Sequence, residues 1–291
     1  MYPTFAMVDG AGEVTDRWAG YPGATEFMGL VDRARGDMRP IAAKKDAFAA
    51  EPTLALALSL GQYSEAVFAN ADAVDYYRKA MALEPSLEPK LRGSIFLAMY
   101  YGLRSGAFEP SQLIAEGEAI LAQPDPDVNA ILMVTSVARR VATPERYAPI
   151  LQQALAMTEG NDDPHVTESR RELLVDKALI IDGDKDAALA LKRETLPDGW
   201  QDDPSALNAF AWWCYENDLN LPEAYELALK GASLAGADGD KANILDTAAE
   251  IAFKMGEVDK AIEHEQEALR LSPDSQGFQR TLEKFQAAKQ G

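Results

Sequence analysis

The sequence has little of several residue types on which common sites depend. It contains one cysteine, Cys214, and two histidines among 291 residues. A single thiol cannot form an intrachain disulfide, and a zinc site needs three or four ligands. No apolar run approaches the ~18 residues that span a bilayer, and the opening residues do not have the pattern of a signal peptide. We therefore expect no disulfide framework, no zinc site, no membrane span and no signal peptide.

Basic residues are also scarce. Lysine and arginine number 28 against 47 acidic residues, so the formal net charge is -19. A strongly acidic surface repels nucleic acid and anionic lipid. We expect no nucleic-acid partner. The charge suits a basic or neutral protein partner, but the simpler interpretation, which we favour, is a solvated acidic surface that serves solubility.

Motifs for catalysis or metal binding are incomplete. No Ser/His/Asp set and no glycine-rich phosphate loop is present. The stretch DGDKD at residues 182–186 alternates acids as a calcium loop does, but Ala187 and Arg193 occupy the places of its glycine and glutamate. His264 and Glu267 share a helical face but supply only two ligands. We interpret the first as a turn between helices and the second as a solvated surface, and we predict no catalytic, cofactor-binding or metal-binding residue.

A repeated pattern of small residues organises most of the chain. In the stretch from Leu245 to Pro273, apolar residues recur every three or four positions on both sides of Gly256. The small members of this pattern are Ala248, Ala249, Ala252, Ala261 and Ala268. This spacing predicts two amphipathic helices joined at the glycine. Such a short helical pair cannot bury its own apolar face, so it must stack on neighbours.

The same pattern occurs earlier in the chain. The interval from Gly61 to Pro85 equals that from Ala249 to Pro273, and Ala73 and Ala80 take the places of Ala261 and Ala268 in this earlier copy. A degenerate third copy, LNAFAWWCYENDLNLPEAYELALKGA, begins at residue 207. The pattern resembles the tetratricopeptide repeat (TPR), with Leu-Gly on the first helix, Ala-x-x-x-aromatic on the second and proline at the end. We predict a mainly α fold, with a TPR-like α-solenoid of helical hairpins over residues 37–291.

The first 36 residues differ from the remainder. Thr4–Val8 and Glu13–Trp18 read as two strands joined by the turn at residues 9–12, and Thr25–Arg35 reads as a helix. A β-hairpin with one helix is too small to be stable alone. We expect it to pack against the first helices of the repeat region, because an unpaired strand edge otherwise invites aggregation.

The order of features in this segment is similar to the last third of a thioredoxin fold. Pro3 followed by Thr4 matches that family's cis-proline site, residues 9–12 match its turn, and Gly20 matches the glycine before its last helix. The resemblance implies that residues 1–36 are an incomplete thioredoxin-like segment, with the redox Cys-x-x-Cys upstream of Met1. Together with the repeats, the chain resembles a group of bacterial thioredoxin-family proteins that are often exported. The sequence itself does not determine the compartment.

One polar stripe is a candidate partner-binding groove. On the first helix of the last repeat, Asn243, Asp246, Glu250 and Phe253 are three, four and three residues apart, opposite the small-residue edge. The equivalent stripe in the preceding repeat includes Trp213, Glu216 and Asn217. In TPR proteins this stripe lines the concave groove. An acidic, partly aromatic groove predicts an extended basic or polar peptide as partner. We expect the cluster formed by Trp212, Trp213 and Tyr215 to pack in the core, with Cys214 buried beside it.

Two functions remain open from the sequence. The first is a non-catalytic protein–protein interaction scaffold built of TPR-like repeats and lacking the redox dithiol. The alternative is a truncated thioredoxin-like thiol-disulfide oxidoreductase, whose catalytic half would lie upstream of Met1. Lone Cys214 cannot replace that half, because dithiol exchange needs two poised sulfurs.

Overall fold

A computed structural model describes residues 3–290 and is mainly α-helical, as the repeat pattern predicted. Two strands form an antiparallel hairpin, β1 (Thr4–Val8) and β2 (Val14–Ala19). The helices of the first half are α1 (Ala24–Gly36), α2 (Ile41–Ala50), α3 (Leu54–Ala66), α4 (Asn70–Leu83), α5 (Glu88–Gly102), α6 (Pro110–Leu121), α7 (Val128–Val141) and α8 (Pro144–Met157). Those of the second half are α9 (Pro164–Asp176), α10 (Lys185–Glu194), α11 (Pro204–Asn217), α12 (Leu221–Leu234), α13 (Asp238–Lys254), α14 (Val258–Leu271) and α15 (Gln276–Gln290).

Local sequence signals explain where many of these helices begin and end. The side chains of Thr53, Asp127 and Asp203 cap α3, α7 and α11 by accepting hydrogen bonds from backbone N–H groups of the first turn. Proline occupies the first position of α6, α8, α9 and α11, where its missing N–H costs nothing. Helix α2 begins at Ile41, directly after Pro40, which holds the extended backbone before it.

Helical hairpins of the TPR-like α-solenoid class make up the chain after α2. In the last hairpin, formed by α13 and α14, the alanines at 248, 249, 252, 261 and 268 are all fully buried. Gly256 separates the two helices with φ of 84°, a left-handed conformation that glycine adopts without strain. The small side chains therefore face the helix–helix contact, as their spacing predicted.

The equivalent early hairpin, α3 with α4, shows why a glycine stands in the repeat pattern. A Cβ atom placed on Gly61 would lie 2.6 Å from the ring of Tyr77 on α4. Ala73 and Ala80 on α4 are fully buried. The absence of a side chain at Gly61 thus lets the tyrosine ring lie against the backbone of α3.

The chain divides into two compact units, one ending at Leu173 and the other beginning at Leu174. The first unit contains the β-hairpin, α1 to α8 and most of α9. The second contains a π-helical stretch, Lys177–Asp182, followed by α10 to α15. Within residues 3–290 no helix is both long enough and apolar enough to cross a membrane.

The β-hairpin packs on the first helices of its unit, as its small size led us to expect. The ring of Phe5 lies 6.1 Å from that of Trp18 on β2 and 4.8 Å from that of Phe27 on α1, measured between centroids. Trp18 is buried. Aromatic packing of this kind gives the hairpin and α1 a small apolar core of their own.

A buried polar network ties β2 to α2 and α3. Asp16 is 2% exposed and Lys44 is 1% exposed, and the Lys44 ammonium lies 3.5 Å from Asp16 Oδ2. Ser59 bridges them: its hydroxyl accepts a hydrogen bond from Lys44 Nζ at 3.1 Å and donates one to Asp16 Oδ2 at 3.1 Å. The backbone N–H of Arg17 donates to Asp16 Oδ1 at 2.9 Å. The buried charges are therefore paired and also hydrogen-bonded, as burial requires.

Candidate partner-binding site

The predicted groove residues lie on α11 and α13 of the second unit. On each helix the apolar and small residues face the core, including Phe210, Ala211 and Cys214 on α11, and the predicted stripe lies beside that buried face. Glu216 and Asn243 are exposed, whereas the other five residues of the stripe are half-buried: Trp213, Asn217, Asp246, Glu250 and Phe253. The stripe is thus present, but it is less open than the helical spacing alone implied.

On α11, the predicted residues support one another. Asn217 Nδ2 donates to the backbone carbonyl of Trp213 at 2.8 Å. The indole ring of Trp213 stacks on Phe210, with centroids 6.0 Å apart, and Lys192 Nζ lies 5.8 Å from the Trp213 ring centroid. Trp213 is therefore held at a fixed orientation, with one face against the core and a cation near its ring.

Tyr215 and Lys254 join α11 to α13. The Tyr215 hydroxyl donates to Glu250 Oε2 at 3.1 Å, and Lys254 Nζ donates to the backbone carbonyl of Tyr215 at 2.7 Å. Burial of the phenol, with the negative charge of Glu250 next in size, raises the pKa of Tyr215 to about 12. The hydroxyl is consequently a stable donor at neutral pH.

Helix α15 covers the end of the stripe that Glu250 and Phe253 form. Lys284 Nζ lies 2.9 Å from Glu250 Oε2 and 3.0 Å from Oε1, and Glu250 is only 14% exposed. The ring of Phe285, fully buried, stacks on Phe253 with centroids 4.5 Å apart. Glu250 and Phe253 thus already have partners within the chain. Sequence reasoning missed Lys284, because nothing in the pattern of α15 says which of its cations faces α13.

At the middle of the stripe, two of its half-buried carboxyl groups, Asp246 and Glu250, lie near a third that is fully buried, Glu265. Glu265 on α14 is 0% exposed, and neither of its oxygens accepts a hydrogen bond from a donor among residues 3–290. The group that faces it is a second carboxyl, Asp246, and two carboxyls can hydrogen-bond only when one holds a proton. With Glu250, three carboxyls share one nearby ammonium, that of Lys284.

The pKa values of this acid group reflect that imbalance. Burial, and next the charge of Asp246, raise the pKa of Glu265 to about 8, and the positive charge of Lys284 opposes the shift only in part. Burial, and next the charge of Glu250, also raise the pKa of Asp246. A cation placed beside Asp246 would stabilise the ionised forms of both. Within the described range, no three His, Cys, Asp or Glu side chains are grouped so as to hold a metal ion.

One expectation about the aromatic cluster of α11 was wrong, because Trp212 lies outside the core. Trp212 is 37% exposed and its ring lies 4.9 Å from that of Tyr215, so it does not pack in the core. Ala211 and Cys214, three residues apart, take the inward positions and leave Trp212 outside them. Cys214 is buried as predicted, and burial, followed by the charge of Glu223, raises its pKa to about 12, which leaves the thiol unreactive at neutral pH.

The remaining sequence candidates have structural roles. Asp184 caps α10, its Oδ1 accepting from Ala187 N at 2.9 Å, so the DGDKD stretch is a turn between helices. His264 Nε2 lies 2.7 Å from the Tyr225 hydroxyl, and burial lowers the pKa of this histidine. Pro3 lies just before β1, but the peptide bond that would be cis joins it to Tyr2, outside the described residues. The cis-proline therefore stays a prediction.

Comparison with known proteins identifies no family for this chain. No model of a known protein family matches the sequence, and no curated protein sequence is significantly similar to it. A solved structure of the Cut9–Hcn1 hetero-tetramer of the APC/C superposes with a TM-score of 0.47 at 15% identity, over 83% of this chain and 45% of that one. This chain therefore spans less than half the length of the chain that it matches in that complex.

Two further solved structures superpose less well. PilF of Pseudomonas aeruginosa gives a TM-score of 0.44 at 16% identity, covering 85% of this chain and 99% of that one. A solved TPR domain gives 0.32 at 17% identity, covering 90% of this chain and 76% of that one. Scores below 0.5 do not establish a common fold, so the fold class rests on the helical hairpins themselves, and no function carries over from these proteins.

Proposed function

We propose that this chain is a non-catalytic protein–protein interaction scaffold, whose α11–α13 stripe binds an extended basic or polar segment of a partner. The observation that supports the proposal is the acid group beneath the stripe. Asp246 and Glu265 are buried or half-buried carboxyls without a cation of their own, and their pKa values are raised. An incoming lysine or arginine side chain stabilises the ionised forms of both carboxyls, in place of the proton that Glu265 otherwise retains at neutral pH.

Aromatic and polar groups of α11 and α13 complete the proposed site. Trp213 presents a ring that is already held against Phe210, so binding an apolar stem against it requires little further ordering. Glu216 and Asn243 are exposed at the stripe and can accept hydrogen bonds from an extended peptide backbone. Glu250, held by Tyr215 and Lys284, positions the acid group and does not itself need to contact the partner.

The test compares two labelled peptides of equal length by fluorescence anisotropy, one of lysine and serine and one with glutamate in place of lysine. We expect the basic peptide to bind and the acidic peptide not to bind. Replacing Trp213→Ala together with Glu250→Lys removes the ring and reverses one charge of the acid group. This double variant should weaken binding of the basic peptide by about ten-fold or more.

A matched control separates the stripe from the general charge of the protein. Trp212→Ala with Glu263→Lys makes the same change in composition and charge, at an exposed ring outside the stripe and at an exposed acid on α14. It should bind the basic peptide as the parent does, apart from a small effect of net charge. Equal loss in both double variants would mean that binding is diffuse, and the groove proposal would then be wrong.

We further propose that residues 1–36 are a thioredoxin-like segment and residues 37–291 a helical-repeat domain. The support is the order of β1, β2 and α1, which is the same as in the last third of a thioredoxin fold. The alternative function, a thiol-disulfide oxidoreductase, depends on a dithiol that this chain does not carry. Reading the genomic DNA upstream of Met1 in the same frame tests it, since a Cys-x-x-Cys some tens of codons away would favour the oxidoreductase.

Insulin reduction by this chain should be absent, because the one thiol, Cys214, is buried with a pKa raised to about 12. The measurement is the turbidity of insulin in the presence of dithiothreitol, with a Cys214→Ala variant as control. A rate above that of the variant would show that Cys214 is reactive after all, and would contradict its assignment as a buried apolar residue.

A further inference from the structure

A cavity of about 620 Å³ lies in the first unit, between the end of β2 with its following loop, α1, and the helices α3 to α5. Its volume falls within the range of small-molecule sites. Leu30, Leu58 and Leu91 supply apolar wall from three different helices, and Trp18 and Tyr21 add aromatic surface. The cavity shares no residue with the α11–α13 stripe, so a ligand bound in it is independent of the function proposed for that stripe.

Arg33 on α1 lines this cavity without a counter-ion. No carboxylate lies within 4 Å of its guanidinium among residues 3–290, so it forms no ion pair there. One terminal nitrogen donates to Gln62 Oε1, whereas Nε is buried and makes no hydrogen bond within the described chain. Burial lowers the pKa of Arg33, and the charge of Asp16 opposes this only in part. A half-buried guanidinium that lacks an ion pair and has an unbonded Nε would be stabilised by a bound anion.

The other charged groups of the cavity are already engaged. The Tyr77 hydroxyl donates to Glu65 Oε2 at 2.6 Å, and burial raises the pKa of this carboxyl. Lys90 lies 3.7 Å from Glu26, and both are exposed. Among the charged side chains that line the cavity, Arg33 is therefore the cation that has no carboxylate partner within residues 3–290. A doubly charged phosphate would be repelled by Glu65 and Glu26 and would have one guanidinium, that of Arg33, to pair with. A single carboxylate matches that guanidinium both in charge and in planar geometry.

We propose that this cavity binds a small organic monocarboxylate, whose anion pairs with Arg33 and whose apolar body lies against Leu58 and Leu91. The ligand's carboxylate compensates the charge that the fold leaves unpaired. The leucine and aromatic walls remove its apolar part from water, which supplies the remaining affinity.

The experiment titrates the full chain, by isothermal calorimetry, with benzoate, phenylacetate and cinnamate, and with the neutral amide of each. At least one carboxylate should bind, and its amide should bind more weakly by about ten-fold or more, because the amide lacks the charge that Arg33 pairs with. Arg33→Gln should weaken the carboxylate to the level of the amide. Arg35→Gln, at an exposed position of the same helix outside the cavity, should leave the affinity unchanged.

Three results would each overturn the assignment: no binding of any carboxylate, equal binding of acid and amide, or full affinity in Arg33→Gln. Far-ultraviolet circular dichroism establishes that Arg33→Gln is folded before it is titrated. As a second measurement, Arg33→Lys keeps the positive charge but loses the planar fork, so it should bind the carboxylate more weakly than the parent and more tightly than Arg33→Gln.

Discussion

Replacing Lys44 with methionine should lower the free energy of unfolding of the first unit by about 3–5 kcal/mol, the usual cost of removing one partner from a buried ion pair. Asp16, which is 2% exposed, would then lose its ion-pair partner and keep hydrogen bonds from Ser59 and from the backbone of Arg17, with Arg33 acting on its charge from outside ion-pair distance. Because Asp16 is on β2 and Lys44 on α2, the loss should appear first as detachment of the β-hairpin. Hydrogen exchange of the β2 amides, followed by mass spectrometry, measures this directly.

The matched control for this change is Lys45→Met, one residue along the same helix. Lys45 is 44% exposed and lies 4.0 Å from the exposed Asp72. Exposed pairs of this kind contribute roughly 0–1 kcal/mol, so the control should exchange nearly as the parent does. Protection of β2 that is unchanged in Lys44→Met would show that the network does not hold the hairpin. A double change, Asp16→Leu with Lys44→Met, should recover much of the loss, since apolar groups can replace a buried pair.

Raising the pH should destabilise the second unit between about pH 4.5 and 8, and Glu265→Gln should remove most of this loss, the remainder coming from Asp246, whose pKa is also raised. The folded pKa of Glu265 is about 8, above its ordinary value of 4.5. In that window the unfolded chain has released the proton while the folded chain retains it, so stability falls as pH rises. The contribution is fully present below pH 4.5 and is lost by about pH 8, with an upper limit on the order of 5 kcal/mol, since each pH unit of the window contributes about 1.4 kcal/mol.

Urea denaturation from pH 4 to 9 measures the effect, because glutamine keeps the shape of the protonated acid and does not titrate. Glu265→Gln should be more stable than the parent above pH 8 and similar to it near pH 4. Glu263→Gln, at an exposed position on the same helix, should show the parent's pH dependence. A parent slope that survives in Glu265→Gln would place the titrating group elsewhere.

The helical hairpins could be predicted from the sequence, because their determinants are local and periodic. Alanines recurring at matched intervals indicated the buried edges of α4, α13 and α14, and Gly256 indicated the turn between the last two. The hairpin of β1 and β2 was predicted to within a residue or two, because strand-forming residues flank a glycine-containing turn.

The details of the sites could not be predicted, because they depend on which side chains meet across helices far apart in sequence. Lys44 and Lys45 are adjacent lysines in one helix, yet only the first is buried, and its partner Asp16 comes from a strand. The residues of the predicted stripe lie on α11 and α13, and their role in binding stays a prediction. The contacts of Glu250 with Lys284 and of Phe253 with Phe285 depend on how α15 crosses α13, which the sequence does not show. The prediction that Trp212 packs in the core was wrong, because a single sequence does not determine which face of α11 points inward.

The contacts of α15 also bear on lengthening the protein by design. A new hairpin grafted directly after α14 would need the surface of α13 that Phe285 and Lys284 now occupy. Deleting α15 to make room would expose the ring of Phe253 and would remove Lys284, the ion-pair partner of Glu250. The result would be an exposed apolar patch, prone to association, beside an unpaired carboxylate. New helical hairpins are therefore better inserted before α13, so that the contacts among α13, α14 and α15 are kept.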